Sequence, residues 1–181
     1  MHDKRARFDA QVMPHLDAAH RFARWLTRSP SDADDVVQEA ILRAYRSFEG
    51  LRGSDVKAWL LTIVKNCHRT LATQARGRAF VPLPEESDAR DGHAMVATAD
   101  GPEALSMRRD DARTLTRLMA ELPEEHREVL ILREIEELDY REIASVADIP
   151  IGTVMSRLAR ARRSLKERWL AELGGVRDAV R

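Results

Sequence analysis

The sequence predicts an all-α protein made of two small helical domains joined by a flexible acidic linker. On both sides of residues 77–102, apolar residues recur every three or four positions, which is the spacing of a helix face. No segment alternates apolar and polar residues as a half-buried strand does. Residues 77–102 hold three prolines and three glycines among acidic and small polar residues, so they are interpreted as the linker. The predicted domains are residues 1–76 and 103–181.

Composition limits the class of protein further. The chain has 181 residues, of which 44% are hydrophobic and 33% charged, as in a soluble globular protein. No apolar run approaches the ~18 residues of a membrane-spanning helix, and the charged start leads into no signal-peptide core. Its one cysteine, Cys67, excludes an intrachain disulfide and a multi-cysteine zinc site. These features together predict a cytoplasmic protein.

Three helical segments are predicted in the first domain. The first has an apolar face from Phe8 to Leu26, and Pro14 either kinks it or starts a new helix. Ser31 with Asp34 is predicted to cap the second, which Gly50 is placed to end. Its predicted core face is Val37, Ile41, Ala44, Tyr45 and Phe48. The third is predicted to begin near Ser54 or Asp55 and to bury Trp59, Leu60, Ile63, Val64, Cys67 and Leu71.

Four helices are predicted in the second domain. The first carries a stripe at Leu105, Ala112, Leu115, Leu118, Met119 and Leu122. Pro123 is predicted in the first turn of the next helix. Asp139 and Glu142 form a capping-box pair that opens a short helix through Val146 or Ala147, and residues 148–150 form a turn. The last helix has one apolar face at Val154, Leu158, Ala161, Leu165 and Trp169.

The formal net charge of zero conceals alternating charged segments. Residues 51–78 and 152–168 each hold six basic residues against one acid, a net charge of +5. Residues 81–111 hold eight acids against three arginines (−5), and residues 121–139 hold eight against two (−6). Local charge rather than net charge attracts a polyanion, so the overall neutrality does not exclude nucleic-acid binding.

Residues 140–163 carry the most specific pattern. A short capped helix, a three-residue turn and a second amphipathic helix are typical of a helix-turn-helix. Hydroxyl and guanidinium groups lie opposite the apolar stripe of the second helix at Thr153, Ser156, Arg157, Arg160 and Arg163. Such a face suits the major groove, where arginine pairs with guanine edges or phosphates. A basic solvated surface helix is the structural alternative.

The third helix of the first domain has a second basic face. Lysine and arginine there could follow phosphates, and Asn66 could hydrogen-bond a base. The face comprises Thr62, Lys65, Asn66, Arg69, Thr73 and Arg76, with Arg52 and Lys57 in the approach. Alone it is weak evidence, but beside a helix-turn-helix it suggests two DNA contacts within one chain.

An acidic stripe lies on the second helix, where Asp35, Gln38, Glu39 and Leu42 recur at helical spacing. One interpretation is a docking face for a partner helix. Another is a Mg²⁺ site of an enzyme, formed by Asp32, Asp34 and Asp35, although no further carboxylates converge on it. A third is that acids simply favour a helix N-terminus. The histidines match no metal-ligand spacing, and the sequence has no glycine-rich phosphate loop and no nucleophile motif.

Several segments resemble bacterial extracytoplasmic-function sigma factors. Residues 32–40 (DADDVVQEA) and 58–66 (AWLLTIVKN) resemble regions 2.2 to 2.4 of that family. Residues 122–130 (LPEEHREVL) and 140–144 (YREIA) resemble region 4.1, and residues 150–162 (PIGTVMSRLARAR) are similar to the recognition helix of region 4.2. The segments come in the order and spacing of the family and cover nearly the whole chain outside the linker.

The resemblance implies roles for these residues. Asp35, Gln38, Glu39 and Leu42 match the stripe that docks on the clamp coiled coil of the polymerase β′ subunit. The loop 50–57 and the adjoining basic face would capture the minus-ten element as a melted strand. The residues of this loop and face that would contact DNA are Arg52, Lys57, Thr62, Lys65, Asn66 and Arg69. The minus-thirty-five element would be read by Thr153, Met155, Ser156, Arg157, Ala159, Arg160 and Arg163. Met155 and Ala159 are apolar, so their side chains donate no hydrogen bond to a base.

The resemblance also implies a function and its partners. It implies a sigma factor that brings core RNA polymerase, through its β and β′ subunits, to promoter DNA and initiates transcription. It further implies stress-responsive control by a cognate anti-sigma factor, often membrane-anchored, and no enzymatic activity, cofactor or metal. From the residues alone, two other classes stay open: a polymerase-independent helix-turn-helix repressor or activator, and a Mg²⁺-dependent helical enzyme.

Overall fold

The structure is a computed structural model that describes the backbone of residues 2–51, 55–78 and 102–179. Every regular element in these ranges is helical, with no strand, so the all-α prediction is confirmed. The α-helices are α1 (His2–Val12), α2 (Leu16–Thr27), α3 (Pro30–Ser47), α4 (Val56–Arg78), α5 (Pro102–Ala120), α6 (Glu124–Glu134), α7 (Tyr140–Ala147) and α8 (Ile151–Ala179).

The first unit, which comprises α1 to α4, is a bundle in which α2, α3 and α4 pack on one another. Phe22, Leu60 and Val64 are fully buried between them because each lies on the apolar stripe of its helix. Pro14 lies in a 3-10 turn, Met13–His15, so the fresh start at the proline is the alternative that the structure adopts. Tyr45, predicted in the core, is 38% exposed; its ring meets the edge of Phe8 with centroids 5.1 Å apart.

The starts of α3 and α6 differ from the predictions, and each difference involves a proline. The cap of α3 is Ser29 and not Ser31, and its hydroxyl accepts a hydrogen bond from the Asp32 amide at 3.3 Å. Pro30 directly after it has the fixed φ of a first helical turn, which explains the earlier start. Pro123, predicted inside the first turn of α6, is instead its extended N-cap residue, with φ −51° and ψ 142°.

The second unit, which comprises α5 to α8, contains the predicted helix-turn-helix. Asp139 caps α7 in a capping box with Glu142, as predicted, and Asp148, which lies in the predicted turn, ends the helix in the left-handed conformation. Val154, Leu158 and Ala161 of α8 are buried as predicted. Leu115, predicted on the apolar stripe of α5, is 37% exposed.

The predicted linker lies almost entirely outside the described residues. Of the predicted linker, residues 77–102, only the edges are described. They differ from the prediction, because α4 continues through Gly77 to Arg78 and α5 begins at Pro102. No helix in the described ranges has the length and apolarity needed to span a membrane.

The two units pack directly against each other. Helix α7 lies on α4, α6 contacts α2, and the buried apolar side chains of both units form one continuous cluster. At the edge of this contact, Arg28 of the first unit donates to the carbonyl of Ala120 at the end of α5. Arg127 donates to the same carbonyl at 2.9 Å, so two guanidinium groups cap the negative end of that helix.

Candidate docking cleft and nucleic-acid interface

A cleft of about 460 Å³ lies between α3 and α4. All four residues of the predicted docking stripe line one wall, because positions i, i+3, i+4 and i+7 share one helix face: Asp35, Gln38, Glu39 and Leu42. Leu42 is 53% exposed, whereas Glu39 is half-buried and pairs with Arg43 at 2.6 Å. The arrangement presents one apolar contact between polar groups, as helix-docking surfaces do.

The opposite wall of the cleft was missed by sequence reasoning. It is formed by Thr70, Leu71 and Gln74 of α4. Leu71 is predicted in the core from its period, but it is only half-buried because it faces the cleft. The signal that could have revealed this wall is the change from apolar to polar residues in the last turns of α4.

Cys67 lies on the buried side of α4 beneath this cleft. It is fully buried, and burial raises the pKa of its thiol. A thiol in this environment is protonated and inert, as the sequence predicts.

The alternative of a Mg²⁺ site on the second helix finds no support among the described residues. Asp32, Asp34 and Asp35 are exposed at the start of α3. Asp34 lies 3.5 Å from His20 Nδ1, and across the described residues no set of three potential ligands is gathered as a metal site requires.

The basic face of α4 is divided between solvent and the second unit. Asn66 and Arg69 are exposed, and Thr62 is half-buried with its hydroxyl donating to the Ala58 carbonyl at 2.9 Å. Lys57 and Lys65 point instead into the contact with the second unit. Arg52 lies outside the described residues.

The acidic partners of these two lysines come from the −6 segment. Lys57 Nζ lies 3.0 Å from Glu136 Oε2, and Lys65 Nζ lies 2.8 Å from Glu128 Oε1. Burial is the main reason that the pKa of Glu128 is raised, and the charge of Lys65 opposes it. Sequence reasoning missed both glutamates; the one available signal was the opposite charge of the segments 51–78 and 121–139.

The exposed face of α8 holds most of the residues predicted to read DNA. Met155 is 54% exposed, and three more members of the set lie on the same side in solvent: Ser156, Ala159 and Arg160. Arg163 is also exposed, and Thr153 is half-buried. The helix is held on α6 by the ion pair of Arg162 with Glu134, at 2.6 Å.

Arg157 is placed differently from the other arginines of this face. Its guanidinium pairs with Glu125 of α6, and 23% of its side chain is exposed. A phosphate or a base would have to replace Glu125 as its partner. Arg160 and Arg163 therefore offer the readily accessible charges of the face.

One further contact between the units joins two acids and leads to a testable pH dependence. Glu142 accepts a hydrogen bond from the Asp139 amide at 2.5 Å within the capping box. Its carboxyl also contacts Asp55, which precedes α4, and this contact is the main cause of a raised Glu142 pKa. The contact thus favours uptake of a proton by Glu142 in the folded chain, so it stabilises the fold in acid and loses that effect as pH rises through the raised pKa.

Replacing Glu142 by glutamine should raise the melting temperature at neutral pH by about 1–2 °C. Glutamine can keep the cap and removes the repulsion between Glu142 and Asp55. The gain is small because solvent screens part of that repulsion. The gain should shrink toward acidic pH, where wild-type Glu142 takes up a proton. Thermal unfolding followed by circular dichroism at several pH values measures it. Glu167→Gln, on the exposed face of α8, makes the same charge change away from Asp55. An equal, pH-independent gain in that control would contradict the assignment.

Two family matches cover the two units. "Sigma-70 region 2" matches residues 11–77, and "Sigma-70, region 4" matches residues 112–165. The first contains α2, α3 and all but the last residue of α4, and the docking cleft lies between α3 and α4. The second contains the helix-turn-helix, so each candidate interface lies within one matched region.

Relatives match across most of the chain. The ECF RNA polymerase sigma-E factor of Haemophilus influenzae is 36% identical over 155 residues, covering 82% of this chain and 82% of that protein. The RNA polymerase sigma-H factor of Pseudomonas aeruginosa is 35% identical over 171 residues, covering 90% of this chain and 86% of that protein.

Two solved structures share the architecture. The sigma factor RpoE of Bartonella quintana, in complex with the anti-sigma factor NepR, superposes with a TM-score of 0.65 at 28% identity, covering 90% of this chain and 96% of that chain. CnrH, in complex with the cytosolic domain of CnrY, superposes with a TM-score of 0.60 at 25% identity, covering 92% of this chain and 90% of that chain. With matches to both regions, relatives over four-fifths of the chain and the same helical architecture, this protein belongs to the extracytoplasmic-function group of the sigma-70 family of RNA polymerase sigma factors.

Proposed function

We propose that this chain binds core RNA polymerase through the α3–α4 cleft and directs it to promoters that its two units recognise. The observation that carries the proposal is the grouping of Asp35, Gln38, Glu39 and Leu42 on one wall of that cleft, separate from the basic faces of α4 and α8. A docking surface distinct from two nucleic-acid faces is what a promoter-specificity subunit needs, because it contacts polymerase and DNA at the same time.

The proposed division of labour follows the two matched regions. Residues 1–76 form the region 2 domain, which docks on polymerase and binds the minus-ten element; residues 77–102 form the linker; residues 103–181 form the region 4 domain, which binds the minus-thirty-five element. Membership of a family of transcription initiation factors, and not of a catalytic family, supports a role without chemistry of its own and without a cofactor.

Region 4 would read duplex DNA through the exposed face of α8. Arg160 and Arg163 would pair with phosphates or guanine edges, because both guanidinium groups face solvent. Met155 and Ala159 would make apolar contacts, for which the methyl group of thymine is the available partner in the major groove. The face therefore favours a site in which thymine lies beside the arginine-bound positions.

Region 2 would hold the separated strand along α4. Asn66 and Arg69 are exposed there and could hydrogen-bond a base edge and a phosphate. Thr62, Lys57, Lys65 and Arg52 would complete the minus-ten surface. Holding a base outside its stack costs a few kcal/mol, so a protein face must supply compensating contacts.

The proposed partners are core RNA polymerase, promoter DNA and a cognate anti-sigma factor, which could be membrane-anchored. The structural relative bound to the anti-sigma factor NepR supports control by an anti-sigma factor. We propose that this control responds to stress. We infer a cytoplasmic location, since core polymerase acts there. The chain itself would not insert into a membrane.

A binding experiment tests the proposal. Fluorescently labelled chain should form a one-to-one complex with core RNA polymerase, and the complex should retain a promoter fragment that neither component retains alone. Tight duplex binding by the chain alone, with no complex on core polymerase, would instead identify a polymerase-independent regulator and overturn the proposal.

A further inference from the structure

Two ion pairs join α8 to opposite ends of α6. Arg157 pairs with Glu125, in the first turn of α6, and Arg162 pairs with Glu134, the last residue of α6. Arg162 donates to one oxygen of Glu134 from Nε at 3.0 Å and from Nη2 at 2.6 Å. The two acids lie about 13 Å apart along the axis of α6, so α8 is attached to that helix at two separated points.

The two arginines lie on opposite flanks of α8. Since successive residues of a helix are rotated by about 100°, Arg157 and Arg162 are about 140° apart around the axis. The buried stripe lies between them at Val154, Leu158 and Ala161. The exposed reading face lies on the other side of the helix at Ser156, Arg160 and Arg163. The two ion pairs therefore oppose rotation of α8 about its axis in both directions.

Helix α6 provides a fixed support for these contacts. Its residues 127–132 are buried without interruption, so the helix is held firmly inside the second unit. The apolar contact of α8 with α6 is non-directional, whereas a hydrogen bond from a guanidinium to a carboxylate depends on the position of both groups. Tyr140 of α7 joins the Arg162 contact, because it contributes with Glu134 to a raised pKa of the Arg162 guanidinium.

The rotation of α8 matters because bases are read by short-range contacts. A rotation of about 10° moves a group that lies about 6 Å from the helix axis by about 1 Å. A hydrogen bond to a base edge is lost over that distance, since its donor and acceptor must lie within about 2.7–3.2 Å of each other. Attraction to a phosphate decreases much more slowly with distance. A change in rotation should therefore reduce discrimination among sequences more than it reduces general affinity for DNA.

We propose that Glu125 and Glu134 are positioning residues for promoter recognition. Acting through their arginine partners, they set the rotation of α8 and thereby determine how sharply the reading face discriminates among sequences. This inference rests on the proposed reading of duplex DNA by α8. Arg157 then orients the helix and does not contact DNA itself, unlike the exposed arginines of the reading face.

These pairs should contribute little to the stability of the fold. The side chain of Glu125 is 58% exposed and that of Glu134 is 49% exposed. Solvent screens ion pairs in such positions, so each stabilises a protein only slightly. A small change in melting temperature together with a large loss of discrimination therefore distinguishes positioning from a merely structural role.

The test measures discrimination by the full chain with Glu125→Ala and, separately, with Glu134→Ala. The probe is a pool of duplexes with about ten randomised base pairs, one turn of DNA, and the bound and free fractions are sequenced at low salt. Discrimination is the ratio of the affinity for the preferred sequence to the mean affinity of the pool. We expect each variant to lower this ratio about tenfold, as loss of one well-placed base contact does, and to change the mean affinity less than about twofold.

Glu124→Ala is the matched control. Glu124 is exposed in the same turn of α6 as Glu125 and forms no ion pair among the described residues, so its removal makes the same charge change without releasing α8. A loss of discrimination in Glu125→Ala no larger than in this control overturns the inference. A wild-type chain that shows no preference within the pool overturns it as well.

A charge exchange separates positioning from direct reading. Arg157→Glu with Glu125→Arg restores the ion pair with its charges reversed, so discrimination should recover relative to Arg157→Glu alone. Failure to recover would mean that Arg157 itself reads bases, which overturns the inference. None of these readouts involves polymerase. Failure of the wild-type chain to bind core polymerase, measured in parallel, would overturn the proposed function alone, because a polymerase-independent helix-turn-helix regulator needs the same positioning.

Discussion

Replacing Asp35 and Gln38 together by alanine is expected to weaken binding to core RNA polymerase by about 100-fold. Both side chains are exposed and line the docking cleft beside Leu42. Central residues of a docking surface carry most of its binding free energy. Binding of duplex DNA by region 4 should be unchanged, because neither residue takes part in the contacts that hold the second unit.

The measurement is a titration of labelled chain with core polymerase, with duplex binding and thermal unfolding measured in parallel. Asp9→Ala with Gln11→Ala is the matched control, since both residues are exposed on α1, away from the cleft. Unchanged polymerase binding in the cleft variant, or an equal loss in the control, would contradict the assignment of the cleft.

The second large effect is expected on α8. Replacing Arg160 and Arg163 by alanine should lower duplex affinity and reduce the salt dependence of binding by about one counterion per lost phosphate contact. Polymerase docking should be retained. Fluorescence anisotropy against salt concentration measures both the affinity and the slope.

Arg162→Ala is the control on the same helix. Arg162 pairs with Glu134, so Arg162→Ala lowers the net charge by one, as Arg160→Ala does, without removing a residue of the predicted DNA-reading face. A reduction in slope as large as for Arg160→Ala would mean that general attraction, not the face, dominates binding.

Arg157→Ala should cause a smaller loss of DNA affinity than Arg160→Ala, because Arg157 is already paired with Glu125 in the folded chain. Loss of that ion pair should also lower the melting temperature.

Local features of the fold were predictable because their causes lie within a few residues. The Asp139–Glu142 capping box, the turn at Asp148 and the apolar stripe of α8 all follow from spacings of three or four. The cap of α3 was misplaced because Ser29 and Ser31 are both capping residues, and only the position of Pro30 decides between them. Tyr45 fits the core period, yet a tyrosine at the edge of the core can leave its hydroxyl end in solvent.

The candidate sites were predictable to a different extent. The docking stripe on α3 follows from helical spacing, so one wall of the cleft could be derived from the sequence. Its second wall on α4, and the partners of Lys57 and Lys65, could not, because they depend on packing between residues far apart in the chain. Glu136 shows the difficulty: an acid beside Ile135 in sequence has no local sign that Arg21, 115 positions away, will pair with it.

Transcription from fragmented genomic DNA with core polymerase tests the central claim most directly. Transcripts made with and without the chain would be sequenced from their 5′ ends. We expect start sites that appear only when the chain is present, that share two upstream elements, and that disappear with Asp35→Ala and Gln38→Ala. Identical start sites with and without the chain, under conditions where both components are active and soluble, would contradict its function as a promoter-specificity subunit.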